Sequence, residues 1–230
     1  MKQYTTILFD ADGTLLDFDA AEFHALIHTF EAYGYPYNES IRNRYLQINK
    51  ELWNAYEEGE ISREEVIYSR FGKLFQELGI QDDGIQFEDD YQDRLAHGHE
   101  MMEYAMEVVQ GLYQDVDLYI ASNGVSATQY QRLDESGLRP YFKDVFVSEE
   151  IGYQKPDVAY FDTCFKRIGE VNKRNVLIIG DSLSSDIQGG INAGIDTCWY
   201  HPRQEVKETT LKSTYEITDL RELYKILGKE

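Results

Sequence analysis

Basic residues are scarce: 22 Lys and Arg stand against 42 Asp and Glu, a formal net charge of -20 over 230 residues. A chain this acidic repels phosphate backbones and anionic membrane surfaces, which argues against binding a nucleic-acid polymer or docking on a membrane. A small phosphorylated ligand stays admissible, provided a metal or a local lysine offsets the repulsion. Cysteine is scarcer still. The two present, Cys164 and Cys198, make no disulfide framework and their spacing fits no metal knuckle, so both read as small apolar residues in packed elements. No window is apolar for long enough to span a membrane, and the opening MKQYTTILFD lacks the apolar length of a secretory leader. A soluble protein of a reducing, cytoplasmic setting is the expectation. What is present suffices for a core: 42% hydrophobic and 13% aromatic residues rule out global disorder. The length fits one large domain or a domain carrying a substantial insertion.

Two textures divide the chain. From about Ala20 to Gly98 apolar residues recur at helical spacing and strands are hard to find. Phe23, Leu26, Ile27 and Phe30 form an i, i+3, i+4, i+7 stripe ending near Gly34. Ile41, Tyr45, Ile48, Leu52 and Tyr56 carry that period down a second helix, stopped by Gly59. Ser62 with Glu65 makes a capping box ahead of Ile67, Phe71, Leu74 and Leu78, with Gly79 closing the third helix. A weaker fourth runs through Phe87 to Leu95. From about Tyr104, short apolar runs (Leu118 to Ala121, Val176 to Ile179) alternate with helical patterns such as Val158, Phe161, Phe165 and Ile168. That alternation indicates a parallel sheet with helices on both faces. The run Thr5 to Phe9 belongs with these strands. The expected fold is α/β: a Rossmann-like parallel sheet core, residues 1–16 and 100–230, split after its first strand by an inserted α-helical domain, residues 17–99.

The first strand ends oddly. ILFDADGTL sets Asp10 and Asp12 one residue apart, where a surface turn needs only one such acid. In open α/β sheets ligands gather at the carboxyl ends of the strands. Other strands here end in Ser122-Asn123-Gly124 and Gly180-Asp181-Ser182, with Asp186 in the first turn of the helix that follows. Lys155-Pro156 reads as the opening of a further helix, with proline at its first position. Taken singly, each piece has a plain reading as a turn, a loop or a helix start. Their joint order after apolar strand runs favours one site. Four carboxylates converging on one spot need a cation, and an all-oxygen set suits Mg²⁺. A lysine and a hydroxyl aimed there would cradle phosphate. One Asp could then attack phosphorus and form an aspartyl phosphate. A second acid two residues on could protonate the leaving oxygen and later deprotonate water.

The set Asp10-x-Asp12-Gly13-Thr14, Ser122-Asn123, Lys155-Pro156, Gly180-Asp181-Ser182 and Asp186 resembles the haloacid dehalogenase superfamily of phosphohydrolases over nearly the whole chain. The helical insertion looks like the cap domain of that family. The resemblance implies Asp10 as nucleophile, Asp12 as acid/base, and Ser122, Asn123 and Lys155 as the phosphate-binding group. It also implies Mg²⁺ on Asp10, Asp181 and the backbone carbonyl of Asp12, with Asp186 helping directly or through water. Dehalogenases lack the second Asp because a halide needs no protonation, so Asp12 favours phosphate chemistry. Mutase relatives share these acids, which leaves transfer to another sugar hydroxyl open. Within the superfamily, Asp17-Phe18-Asp19, the segments Asn49 to Tyr56 and Ser148 to Gly152, and Gly189 to Gly194 are most similar to the 5'-nucleotidase branch. That branch dephosphorylates nucleoside monophosphates, especially pyrimidine and deoxy ones.

The expected partner is thus a small phosphorylated metabolite, a nucleotide by preference. Phe18, Trp53 and Tyr56 are the candidate cap residues for stacking a base, although Tyr56 also continues the stripe from Ile41 and by spacing is core. Arg63, Arg70 and Asn49 could meet a sugar or base edge, and nothing in the sequence selects among them. His24 and His28 have a zinc-like spacing of four, but no third ligand stands out nearby. With His97 and His99 they read as solvated or partly packed. Two alternatives stand beside the leading one. The nearer is a sugar-phosphate or phosphoglycolate phosphatase. The other is a signalling module that stores a phosphoryl group on Asp, against which the insertion and Asp12 both speak.

Overall fold

The structure, a computed structural model, describes residues 3–203 and 210–229. In chain order it runs β1 (Thr6–Phe9), α1 (Phe18–Tyr33), α2 (Glu39–Glu57), α3 (Arg63–Leu78), α4 (Ile85–Ala96), α5 (Ala105–Leu112), β2 (Asp117–Ser122), α6 (Ser126–Glu135), β3 (Asp144–Val147) and α7 (Ser148–Ile151). It continues with α8 (Val158–Ile168), β4 (Val176–Gly180), a π-helical turn (Leu183–Ile187), α9 (Gln188–Ala193), β5 (Asp196–Tyr200), β6 (Tyr215–Ile217) and α10 (Glu222–Ile226). The six strands form one sheet in the order β3-β2-β1-β4-β5-β6, every neighbouring pair parallel. The α/β expectation and its doubly wound sheet are what the chain adopts.

Successive strand residues point to opposite faces, and both faces are covered. Ile7, Phe9, Leu118, Ile120, Leu177 and Ile179 pack with Val108, Val109 and Leu112 of α5 and Leu223 of α10. Leu8, Tyr119, Ala121 and Ile178 pack with Tyr160, Phe161 and Cys164 of α8. Two-sided burial is what allows near-continuous apolar runs such as TILF and VLIIG. The strands β3, β5 and β6 do not announce themselves in this way, because DVFV, DTCWY and YEI mix charge with short apolar stretches.

The chain divides into two compact units, Met1–Asp19 with His99–Glu230, and Ala20–Gly98. In the first, the outgoing and returning chain are stitched together: Asp17 N donates to Glu100 O at 2.8 Å and Met102 N to Leu15 O at 2.9 Å. Asp17, Phe18 and Asp19 fall in this unit, so Phe18 groups with the sheet and not with the cap to which the sequence assigned it.

In the second unit α2 buries Ile41, Tyr45, Ile48, Leu52 and Tyr56, as their spacing predicts. The capping box closes, with Glu65 N donating to Ser62 Oγ at 3.1 Å and Ser62 N to the Glu65 carboxylate at 2.8 Å. Helix α1 departs from its apolar stripe. Phe23 is 38% exposed and Ile27 half-buried, while Glu22 and Thr29 go inside beside Ala21, Ala25, Leu26 and Phe30. The cause is a buried polar cluster that recruits Glu22. Arg70 Nε and Nη2 donate to the two Glu88 oxygens at 2.8 and 2.6 Å, and Nη1 donates to Asn49 Oδ1 at 3.0 Å. Asn49 Nδ2 in turn reaches Glu22 at 3.4 Å. The rings of Tyr91, Phe71 and Tyr45 lie 5.0, 5.7 and 5.9 Å from the guanidinium. Arg70 and Asn49, read from the sequence as possible contacts to a sugar or base, are therefore spent inside their own unit. His24 and His28 are exposed, which fits the solvated reading.

Candidate active site

Strand β1 lies between β2 and β4, and the strand order runs outward from it on both sides. The carboxyl ends of these three strands therefore frame the switch point at which open α/β sheets take ligands. The register sets Phe9 beside Ile120 and Ile179, so Asp10, Ser122 and Asp181 leave neighbouring strands at one edge.

Lys155 is the hub. Its side chain is buried, and Nζ donates to Asp10 Oδ1 at 2.7 Å, Asp186 Oδ1 at 2.6 Å and Ala121 O at 2.6 Å. An ammonium has three donors, and all are used. Asn123 holds the segment that carries the lysine. Its Nδ2 donates to Lys155 O at 2.8 Å, and its Oδ1 accepts from Lys155 N at 2.9 Å. The amide oxygen and one of the two hydrogens on its nitrogen are taken by backbone, so the side chain of Asn123 positions Lys155. Nor does Lys155-Pro156 open a helix. It forms a cis peptide within a turn, and α8 begins at Val158, capped by Asp157, whose carboxylate accepts from Ala159 N at 2.9 Å.

Asp10, Asp181 and Asp186 each bring an oxygen within 4.8 Å of the others. Two glycines make that approach possible. Gly13 has φ +77°, and a Cβ there would stand 2.7 Å from Asp181 Oδ2; a Cβ on Gly180 would stand 2.1 Å from Asp186 Oδ2. Asp186 is fully buried and also accepts from Ser182 N at 3.1 Å. Burial pushes the Asp10 carboxyl well above the usual carboxylate range; Lys155 opposes the shift, while Asp186, Asp181 and Asp12 reinforce it. Burial works against the charge on Lys155, but Asp10 and Asp186 more than offset it and hold the ammonium above the ordinary lysine value. One ammonium thus pairs with two of three clustered carboxylates. A hard, oxygen-loving cation fits such a donor set and would relieve the residual repulsion.

The Asp12 carboxylate stands outside this cluster. It pairs with the guanidinium of Arg132 and the amide of Gln129, both on α6. Ser122 Oγ accepts from Gly124 N at 3.0 Å and from Gln129 Nε2 at 2.8 Å, which directs its own proton to a further acceptor. Sequence reasoning missed Gln129 and Arg132 because a polar i, i+3 pair on a helix ordinarily marks a solvated face. The available signal was their place one turn beyond a strand-end Ser-Asn-Gly.

Trp199 was missed too. Its indole N–H donates to Asp181 O at 3.0 Å and its ring stacks on His201 with centroids 3.9 Å apart. With Phe18, Gly13, Asp181 and Arg203 these rings line a cavity of about 140 Å³. Trp53 and Tyr56 lie on α2 of the other unit: Tyr56 is buried, and Trp53 is half-buried, meeting it edge-to-face at 5.6 Å. Phe18 and Asp181 of the acid cluster line the same cavity.

Comparison with known proteins identifies the family and the fold. The family model for haloacid dehalogenase-like hydrolases matches residues 7–200. The pyrimidine 5'-nucleotidase PynA of Streptococcus pneumoniae (strain ATCC BAA-255 / R6) is 41% identical over 227 residues, 98% of this chain and 96% of that protein. The pyrimidine 5'-nucleotidase YjjG of Escherichia coli (strain K12) is 31% identical over 223 residues, 97% of each. A crystal structure of the HAD-hydrolase YfnB from Bacillus subtilis, bound to magnesium, superposes with a TM-score of 0.94 at 47% identity, covering 99% of this chain and all of that one.

Proposed function

Because the chain belongs to the haloacid dehalogenase-like hydrolase family, we propose that it is a Mg²⁺-dependent phosphatase that cleaves nucleoside 5'-monophosphates through an aspartyl phosphate on Asp10. The observation that carries the reading is the separation of two acids two residues apart. Asp10 sits with Lys155 among the clustered carboxylates, while Asp12 is held by Arg132 and Gln129.

In this reading Asp10 Oδ attacks phosphorus, a new O–P bond forms, and the bond to the nucleoside 5'-oxygen breaks. Asp12 enters this step as the carboxylic acid and gives its proton to the leaving oxygen. Asp12, now a carboxylate, accepts a proton from water as that water attacks phosphorus, releasing inorganic phosphate and regenerating Asp10. Ser122 Oγ–H binds a phosphoryl oxygen. Lys155, its donors occupied by Asp10, Asp186 and Ala121, acts as a fixed positive charge beside the nucleophile and keeps its carboxylate aimed. The carboxylates of Asp10 and Asp181 and the Asp12 carbonyl would hold Mg²⁺, with Asp186 alongside, and the ion would supply neutralising charge for the phosphoryl oxygens.

Support for a nucleotide comes from the two relatives that carry the pyrimidine 5'-nucleotidase name along nearly their whole length. The signalling-module alternative gives way to the hydrolase family assignment. A cytoplasmic setting completes the reading, consistent with two buried cysteines that form no bridge. Phosphate release with Mg²⁺ from a panel of nucleoside monophosphates, sugar phosphates and phosphoglycolate tests it. The largest kcat/KM is expected for pyrimidine nucleoside monophosphates, with Asp10→Asn inactive and still folded. A sugar phosphate as best substrate would overturn the nucleotide assignment, and an active Asp10→Asn would overturn the nucleophile.

A further inference from the structure

Among the polar side chains that helix α6 buries, Gln129 is 1% exposed and Arg132 is fully buried. Burying such groups is costly unless each finds a partner. Their shared partner is Asp12. Gln129 does more, because the hydrogens of its one amide nitrogen serve two groups, the Asp12 carboxylate and Ser122 Oγ at 2.8 Å. Spaced i, i+3, the two residues lie on one face of α6, and that helix starts directly after β2 and the Ser122-Asn123-Gly124 turn. The turn is shaped around the amide: a Cβ on Gly124 would stand 2.7 Å from Gln129 Nε2. Behind the guanidinium, the Phe18 ring lies 5.6 Å away. Two separate motifs, one after β1 and one after β2, are thereby tied together by a third element.

We propose that Gln129 and Arg132 are positioning residues for the reaction. They fix the carboxyl group of Asp12 and couple it through Gln129 to the Ser122 hydroxyl, so that the acid/base and the phosphoryl-binding group keep one mutual geometry. The proposal rests on the acid/base role of Asp12 in the phosphatase reading above. In this proposal Arg132 acts through Asp12, and Gln129 through Asp12 and Ser122.

A purely structural pair would, if lost, weaken turnover of every ester alike. A pair that positions the proton donor matters most where the leaving oxygen needs a proton. From uridine 5'-monophosphate the departing group is a poorly stabilised alkoxide of uridine, whereas from p-nitrophenyl phosphate it is a stable p-nitrophenolate. Arg132→Met is therefore expected to lower kcat/KM for uridine 5'-monophosphate about ten- to a hundredfold, within the span of general acid catalysis, and to lower it for p-nitrophenyl phosphate no more than about threefold; Gln129→Met, which also frees Ser122, should lower both, the nucleotide by about tenfold more than the aryl ester. Arg132→Lys, which keeps the charge, should recover part of the loss. In an Asp12→Asn background, adding Arg132→Met should cost nothing further on the nucleotide, because the group it positions is already disabled.

Equal losses on both esters for Arg132→Met or for Gln129→Met, or Arg132→Met losses that multiply in the Asp12→Asn background, would overturn the proposal while leaving Asp12 as acid/base. An Asp12→Asn enzyme that hydrolyses the nucleotide at the wild-type rate would instead sink the phosphatase mechanism itself. Melting curves identify any variant that does not fold, and Gln129→Met with Arg132→Lys then carries the test.

Discussion

Arg70→Met probes the buried cluster of the helical unit. The substitution preserves most of the aliphatic stem, so the cavity contribution is small. It removes two charge-assisted hydrogen bonds to Glu88, at 2.8 and 2.6 Å, and the donor to Asn49 at 3.0 Å. It also strips the cation from between the rings of Tyr45, Phe71 and Tyr91. Glu88, fully buried, keeps Gln92 Nε2 at 2.9 Å as a donor but loses its countercharge. Removing one member of a buried pair costs about 3–5 kcal/mol. For a chain of this length that corresponds to a fall in Tm of roughly 6–20 °C, at about 2–4 °C per kcal/mol. Removing both charges in Arg70→Met/Glu88→Leu leaves no orphaned ion and should restore most of the loss. Urea titration followed by circular dichroism, with thermal melts alongside, measures both variants. A single variant within about 1 kcal/mol of wild type, or a double variant no better than the single, would refute the account.

Gly180→Ala places a carbon against Asp186 and should displace that carboxylate from Lys155, lowering kcat/KM by about a hundredfold with phosphate release as the assay; a rate near wild type would show that Asp186 shifts without consequence. Chelation by EDTA should silence turnover and added Mg²⁺ restore it, whereas turnover indifferent to EDTA would remove the metal from the mechanism. Burial pushes the Cys164 thiol up to about 12 and raises Cys198 as well, so both should resist iodoacetamide in the native protein at about pH 8 and label only on unfolding; mass spectrometry showing prompt native labelling would contradict their placement.

Periodicity made much of this molecule legible. TILF and VLIIG are apolar because both faces of their strands are covered, and the stripe Ile41 to Tyr56 is apolar because one face of α2 is. The clustered acids were legible for another reason: carboxylates at strand ends have no packing role that would place them there. What escaped was decided by tertiary polar contacts, which leave no periodic trace. Glu22 is buried on a helix whose Phe23 faces outward, because Asn49 and Arg70 lie inside. Arg132 reads as a solvated cation until Asp12, distant in sequence, is seen against it. The Lys155-Pro156 turn resembles a helix start because proline favours both, and only the two-point grip of Asn123 distinguishes them.

The place of the insertion bears on how the polypeptide acquires its shape. β1 is made first, yet both strands that flank it, β2 and β4, are made only after residues 20–98. On the ribosome this segment emerges with no edge to join, while the helices behind it already carry what they need for an aromatic core: Phe71 and Phe75 both meet Phe87, close by in sequence, and Phe30 of α1 joins them from the same unit. The central strand is therefore born early and seated late, its closure delayed by the entropy of a long loop that an intervening folded block would shorten.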